Sequence, residues 1–454
     1  MMNWDRLLNS QRLGDSRKDY DSFSHRSAFQ RDFDRIIFSS AFRRMQDKTQ
    51  VFPVPESDFV HNRLTHSLEV AMVGRSLGNL AGEFILEKEP NLKQKHSMNM
   101  FGDIVAAAAL AHDLGNPPFG HSGEGAIGDF FNKNSFIKEK FNITDNQWQD
   151  FIKYEGNAHG LRLLTNHHPN EINRGMKLTF ATLATFAKYP RPSLVDNSKL
   201  INPNRKRTSA KKFSFNRSEE ADFKVIAENT SLIGLSNEEN VWARHPLAFL
   251  VEAADNICYR IIDLEDGYKL SYLSLNEMED LLIPLMMRAF DAEIALKKYN
   301  AIKDDGEKVG YLRAKAINVL VYETKLVFEE NYQEIMNGEF DSELTDLIRS
   351  VDLLEDDIKK SNIYLYNRKP VVEIELAGYQ VIYGLLEQFM QIHLNPKHIL
   401  SKKLLTILPK QFHYSEMDSN YCKLMRIVDF IARMTDGYAL SLYRRLSGQS
   451  LPTV

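Results

Sequence analysis

The 454-residue sequence has little cysteine, and its two, Cys258 and Cys422, stand far apart with no partner spacing. A disulfide framework and a thiolate zinc site are therefore not expected, which suits a reducing cytoplasm. No sign of charge dominates: 57 Lys and Arg against 61 Asp and Glu leave a net charge of −4. Bulk attraction to nucleic acid or to an acidic membrane is not indicated, so any polyanion site must come from a local cluster. Long hydrophobic runs are missing as well. The longest, "IVAAAALA" from Ile104, is far too short to span a bilayer and runs into His112-Asp113. The stretch "MMNWDRLLNSQRLGD" has no apolar signal-peptide core. Internal repeats and low-complexity tracts are absent, and strand signals are sparse. The expectation is a soluble cytoplasmic protein without membrane contact. At 43% hydrophobic and 11% aromatic residues, it can bury a substantial core.

What is present is helical periodicity. "LTHSLEVAMVGRSLGNLAGEFIL" (64–86) places its apolar residues at helical spacing, and "FGDIVAAAALAHDLG" reads as a buried helix with Gly115 at its end. "HPLAFLVEAADNICYRIIDLEDG" (245–267) reads as a third, with Pro246 near its start and Gly267 after it. Residues 273–329 and 373–446 continue as amphipathic helices. "TQVFPV" (49–54) and "KPVVEIEL" (369–376) are the best strand candidates. The expected fold is all-α with at most a minor β-hairpin. Residues 191–240 interrupt the pattern and carry Arg205, Lys206, Arg207, Lys211 and Lys212, concentrated in 199–217. This basic insertion reads either as a solvated loop or as a phosphate or nucleic-acid contact.

The chemistry concentrates in "LAHDLGNPPFGHSGEGA" (110–126), a mixture no hydrophobic core requires. His112 and Asp113 end a dry helix. A His-Asp pair is by itself often structural, but "HNRLTHSLEVA" adds His66 and "VEAADNICYRIIDLEDG" adds Asp255. An unpaired carboxylate in that apolar helix would be costly. Two His and two carboxylates form a mixed N/O set suited to Mn, Fe, Co, Ni or Zn. Asp255, Tyr259 and Asp263 follow at i, i+4 and i+8 and share one helix face. Beyond the Pro-Pro turn, His121 and Glu124 stand at i, i+3. The carboxylate there can hydrogen-bond one ring nitrogen and raise the basicity of the other. Upstream, Arg43, Arg44 and Lys48 precede Gln50-Val51, and Arg binds phosphate bidentately.

The order His…His-Asp…Asp resembles the HD phosphohydrolase superfamily. The longer pieces "RDFDRIIFSSAFRRMQDKTQVF", "AHDLGNPPFGHSGE", "YEGNAHGLRLL", "ADNICYRIIDLEDG" and "EIELAGYQVIYGLL" resemble its deoxyguanosinetriphosphate triphosphohydrolase (dGTPase) family, in that family's order. The resemblance implies an HD-type catalytic core over 1–280 and a C-terminal helical region over 281–454 that completes the nucleotide site and the oligomer contacts. It implies metal ligation, by Mn²⁺ or Mg²⁺, through His66, His112, Asp113 and Asp255. It further implies hydrolysis of a deoxynucleoside triphosphate, dGTP preferred, to deoxynucleoside and triphosphate. His121, oriented by Glu124, would be the acid/base. Gln50 would bond the 3′-hydroxyl and Val51 would crowd a 2′-hydroxyl. Tyr259 would pack under the sugar, with Asp263 at the 3′-hydroxyl. Asn157, Lys188 and Arg44 would contact phosphates, and Glu375 and Arg426 the base, reaching a neighbouring subunit. A homo-oligomer, with a hexamer as first expectation, and single-stranded DNA or a nucleotide as effector are implied too. The sequence departs from the family pattern at His159, where Gln is expected. The alternatives are another HD-superfamily nucleotide phosphohydrolase or phosphodiesterase, a dNTPase of broad base specificity, and a non-enzymatic nucleic-acid-binding protein using the basic insertion.

Overall fold

The computed structural model describes residues 1–14, 26–50, 61–165, 175–202, 207–355 and 365–450. Among them the protein is all-α. Outside helices the backbone pairs only in isolated bridges, such as Thr49 with Asn62, so the described part of the expected strand at 49–54 is a single bridge; Val51 to Val54 lie outside the described residues. No described helix is long and apolar enough to cross a membrane.

Helix α1 (Arg63–Lys88) starts at a capping box, in which Asn62 and Thr65 satisfy each other's backbone N–H groups. It packs most intimately on α2 (Met98–Ala111), whose residues from Phe101 onward are all buried. Small residues make that approach feasible. A Cβ on Gly78 would lie 2.8 Å from the Gly102 Cα. The chain turns through His112–Phe119, with Phe119 in left-handed backbone at φ 61°, into α3 (Gly120–Lys133). Helices α4 (Gly156–Thr165) and α5 (Phe180–Phe186) follow. The turn after α2 is pressed on α4: a Cβ on Gly115 would lie 2.0 Å from the Gly156 carbonyl oxygen, so only glycine fits.

The insertion is more ordered than a solvated loop. It contains α6 (Glu220–Thr230), and Phe215 stacks on Phe223 with ring centroids 4.7 Å apart, both rings fully buried. Helix α7 (Ala248–Lys269) runs past Gly267, which lies inside it. The helix ends instead at Leu270, before Ser271 in left-handed backbone at φ 58°. Helices α8 (Leu275–Met286) and α9 (Asp305–Glu330) pack together, and α9 also lies on α1 and α7.

The expected strand at 369–376 is instead the start of α10 (Lys369–Leu394), with Pro370 in its first turn. Val371, Val372 and Ile374 suggest a strand locally. However, the buried positions Val371, Gly378, Val381, Ile382, Leu385, Leu386 and Phe389 keep helical spacing over 26 residues, and that longer period wins. Helices α11 (Asn420–Ala432) and α12 (Asp436–Leu446) close the chain.

Two large cores result. The first joins α1, α2, α5, α7, α8 and α9. The second joins α3 and residues 143–151 to α10, α11 and α12, through Phe131, Trp148, Phe151, Leu386, Phe389 and Ile427. A cleft is lined by residues of α1, the turn from α2 into α3, α7 and the start of α10.

Candidate active site

Three ligand atoms of His66, His112 and Asp113 lie within 4.8 Å of one another. His66 comes from α1, His112 and Asp113 from the end of α2. Asp255 on α7 joins them: its Oδ1 is 3.3 Å from Nε2 of both histidines. His112 Nδ1 donates to the Ala109 carbonyl at 2.7 Å, which turns Nε2 toward Asp113 and Asp255, and against the effect of burial these carboxylates raise the imidazole above its ordinary range. Each carboxylate has an outer partner. Arg63 Nη1 donates to Asp113 Oδ2 at 2.7 Å, Asn116 Nδ2 to Asp113 Oδ1 at 2.6 Å, and Lys188 Nζ to Asp255 Oδ2 at 2.7 Å. Burial alone would favour the neutral acids. Lys188 and His112 outweigh it at Asp255, and His112 and Arg63 at Asp113, so both carboxyls are held well below the usual range. Ionised oxygens facing imidazole nitrogens, whose shared proton a divalent cation would displace, form a donor set that fits such an ion.

The centre opens into a cleft of about 310 Å³. His121 lines it, with its side chain 86% exposed. Its Nδ1 donates to Glu124 Oε2 at 2.7 Å, and Glu124 Oε1 accepts the Gly156 N–H at 2.8 Å. The hydrogen bond to Glu124 raises the imidazole above its ordinary range despite some burial. The second anchor ties Glu124, and through it His121, to the start of α4.

Of the other expected residues, Gln50, Asn157, Lys188, Tyr259 and Glu375 also line the cleft. Gln50 Oε1 is buried without a hydrogen-bond partner, which leaves it open to a ligand. Tyr259 stacks on Tyr366 with centroids 5.7 Å apart and planes 8° from parallel. Asp263 stands behind that stack and does not line the cleft. It accepts from the Tyr366 hydroxyl at 2.6 Å, and burial pushes its carboxyl up to about 8. Val51 lies outside the described residues, as do Arg205 and Lys206 of the insertion.

Two further expected contacts are not brought to this cleft. Arg44 borders a second cavity with Phe412, Arg433 and Tyr438. Its segment docks on the C-terminal helices, where Lys48 Nζ donates to the Ala432 carbonyl and the Thr49 N–H to Asp436. Arg426 is buried on α11 and donates to Asp418 at 3.2 Å. His159, where the sequence departs from pattern, is also away from the cleft. Its ring is buried, neither nitrogen has a hydrogen-bond partner, and burial pushes it down to about 3.

The cleft contains residues that the motifs did not single out. Arg63 stands three residues before His66 on the same helix face, which was a readable signal. Asn116 lies inside "HDLGN" and Tyr189 beside Lys188. Lys212 was visible only as one charge in a basic cluster; here it lines the cleft, while Lys211 pairs with Glu343. Tyr366 had no sequence signal.

The chain matches the HD domain family over residues 63–187 and the phosphohydrolase-associated domain over 357–445. It is 41% identical to a deoxyguanosinetriphosphate triphosphohydrolase-like protein of Synechocystis sp., over 99% of this chain and 100% of that one. A protein of Pseudomonas aeruginosa with the same description is 36% identical over 100% of both chains. The deoxyguanosinetriphosphate triphosphohydrolase of Cronobacter sakazakii is 29% identical over 92% of this chain and 93% of that one. With its histidine–aspartate metal-binding group inside the matched HD domain, the chain belongs to the deoxyguanosinetriphosphate triphosphohydrolase-like family of HD phosphohydrolases.

Proposed function

We propose that this protein hydrolyses deoxynucleoside triphosphates, with dGTP preferred, to deoxynucleoside and inorganic triphosphate. The observation that carries the reading is one cleft that juxtaposes the metal group, the His121–Glu124 pair and the cations Lys188 and Lys212. His66, His112, Asp113 and Asp255 would hold a divalent ion, Mn²⁺ or Mg²⁺ by family resemblance. When bound, such an ion offsets negative charge developing on a phosphoryl oxygen. Lys188, Lys212 and Asn157 bind the polyphosphate and hold the α-phosphorus in place. His121, raised by Glu124, gives a proton to the departing sugar oxygen and is recharged from solvent, to which it is largely open. The stacked Tyr259–Tyr366 pair offers a flat apolar wall to the sugar, and Gln50 a free acceptor to a hydroxyl. In this reading 1–280 carries the catalytic core, while 281–454 completes the cleft through Tyr366 and Glu375. The oligomer, with Arg426 and Glu375 reaching a neighbouring subunit, and the nucleic-acid or nucleotide effector belong to the same proposal.

The test is to incubate the pure protein with each dNTP and Mn²⁺, with and without single-stranded DNA, and to resolve the products. Triphosphate and deoxynucleoside are expected, fastest from dGTP. Release of pyrophosphate or orthophosphate sinks the reaction, and even rates across the four bases sink the preference.

A further inference from the structure

Glu155 has no part in the reaction just described, yet it stands on the cleft wall, 9% exposed, immediately before α4. Its Oε1 accepts from Asn157 Nδ2 at 2.6 Å and from Lys212 Nζ at 3.2 Å, with only a long 3.4 Å contact from the Asn157 N–H besides. These are two of the three side chains that would bind a polyphosphate. A carboxylate that occupies such donors must lose them when an anion arrives, and it is then left partly buried beside more negative charge. The neighbouring carboxylate is differently placed: Glu124 has Oε2 on His121 and Oε1 on the Gly156 N–H, so it keeps both partners. The remaining titratable groups that bear on Glu155 are the phenols of Tyr154 and Tyr189. Burial and the charge of Glu124 already push the Glu155 carboxyl up, while Lys212 and Asn157 pull it back.

We infer that Glu155 is a positioning residue that holds Lys212 and Asn157 ready in the empty cleft, and that it takes up a proton from solvent when it releases them to a polyphosphate. The inference rests on the reading of this cleft as a triphosphate site. Before binding, Glu155 stops the lysine from wandering and screens it from Lys188. After binding, the neutral acid no longer repels the ligand. No bond is made or broken other than the O–H on Glu155, and the proton comes from the buffer. Binding is thereby linked to pH, tightening as pH falls.

The test uses the full-length, metal-loaded protein and inorganic tripolyphosphate as probe. Calorimetric titrations at pH 7 in two buffers of different ionisation enthalpy give the number of protons taken up per ligand. The ligand's own titration is common to every variant, so the difference between wild type and Glu155→Gln isolates this carboxyl. The wild type is expected to take up about 0.5–1 proton more than Glu155→Gln, and its Kd to fall relative to the variant's by up to about tenfold per unit decrease in pH. Lys212→Met is expected to bind about tenfold more weakly and to show reduced uptake, because Glu155 without its cation titrates higher in the empty cleft and has less proton left to gain. Equal uptake in wild type and Glu155→Gln, undiminished uptake in Lys212→Met, or no binding of tripolyphosphate to the wild type each overturns the inference. Products of dNTP turnover on the same preparation separate the two readings. Proton-linked tripolyphosphate binding with pyrophosphate as product upholds the role of Glu155 and overturns the reaction.

Discussion

The exposed ring of His121 is held by one carboxylate and packs in no core, so His121→Ala removes a proton carrier without unpacking the fold. A fall in kcat of about 10²–10⁴-fold is expected, with KM within a few fold; steady-state kinetics with unchanged kcat would remove His121 from the reaction. Glu124→Gln keeps an acceptor for Nδ1 but loses the charge. The imidazole then titrates lower, and the alkaline limb of the kcat/KM profile should move to lower pH. Lys48 gives a second pH dependence. Burial pushes its ammonium down to about 7, against about 10.4 when unfolded. Between those values the unfolded chain binds the extra proton, so the folded state gains stability as pH rises, by up to about 1.4 kcal/mol per unit. Urea titrations of wild type and Lys48→Met from pH 7 to 10 should show the wild type gaining on the variant. Parallel curves would mean that Lys48 stays charged. At this scale the sequence was most legible where residue type alone is diagnostic. A histidine or aspartate on an apolar face, such as His66 or Asp255, is conspicuous because burying it needs a reason. Lysines and arginines are not, since most are solvated. Thus Arg44 read like a phosphate ligand and borders another cavity, whereas Lys212 was lost in a cluster.

Elements were legible wherever one period ran long enough to outvote local propensity. The alanine run of α2 announced itself. The start of α10 did not, because three β-branched residues in its first two turns mimic a strand. Tertiary ties between elements left no trace in the sequence at all. Arg162 on α4 is an example: buried, it donates through Nε and Nη2 to both oxygens of Asp429 on α11 at 2.8 Å, and through Nη1 to Glu219 at the foot of α6. Three distant segments meet at one guanidinium. Removing it leaves two buried carboxylates uncompensated, so Arg162→Ala should cost about 3–5 kcal/mol by chemical denaturation. A loss under 1 kcal/mol would show that water relieves the pair. Asp429→Asn is the gentler probe, since it keeps an acceptor and one of the two carboxylates.

For the whole molecule, the four proposed metal ligands come from α1, the end of α2 and α7, so an ion bound there would staple the first core. At a free concentration about 100 times its Kd, Mn²⁺ should add about 2.7 kcal/mol to stability. The thermal midpoint should rise with Mn²⁺, return with chelator, and stop responding in His112→Ala. A variant that still responds places the ion elsewhere. The expected split near residue 280 came from the family resemblance. The second core reaches back to α3 and residues 143–151 for Phe130, Phe131, Trp148 and Phe151, half of its buried aromatic residues. Helix α10 connects the two regions. Its first turns, at Val371, Ile374 and Glu375, wall the cleft, while Phe389 and Met390 are locked in the second core. Twenty-six helical residues extend about 39 Å, and a single helix of that kind is stiff. It is a lever with its grip in one core and its tip in the cleft. Phe389→Ala, a cavity in the second core that should cost about 3–5 kcal/mol, is expected to loosen the grip and raise KM from afar. An unchanged KM at temperatures where the variant stays folded would mean that the tip moves independently. The cleft would then sense nothing that takes hold of the C-terminal helices.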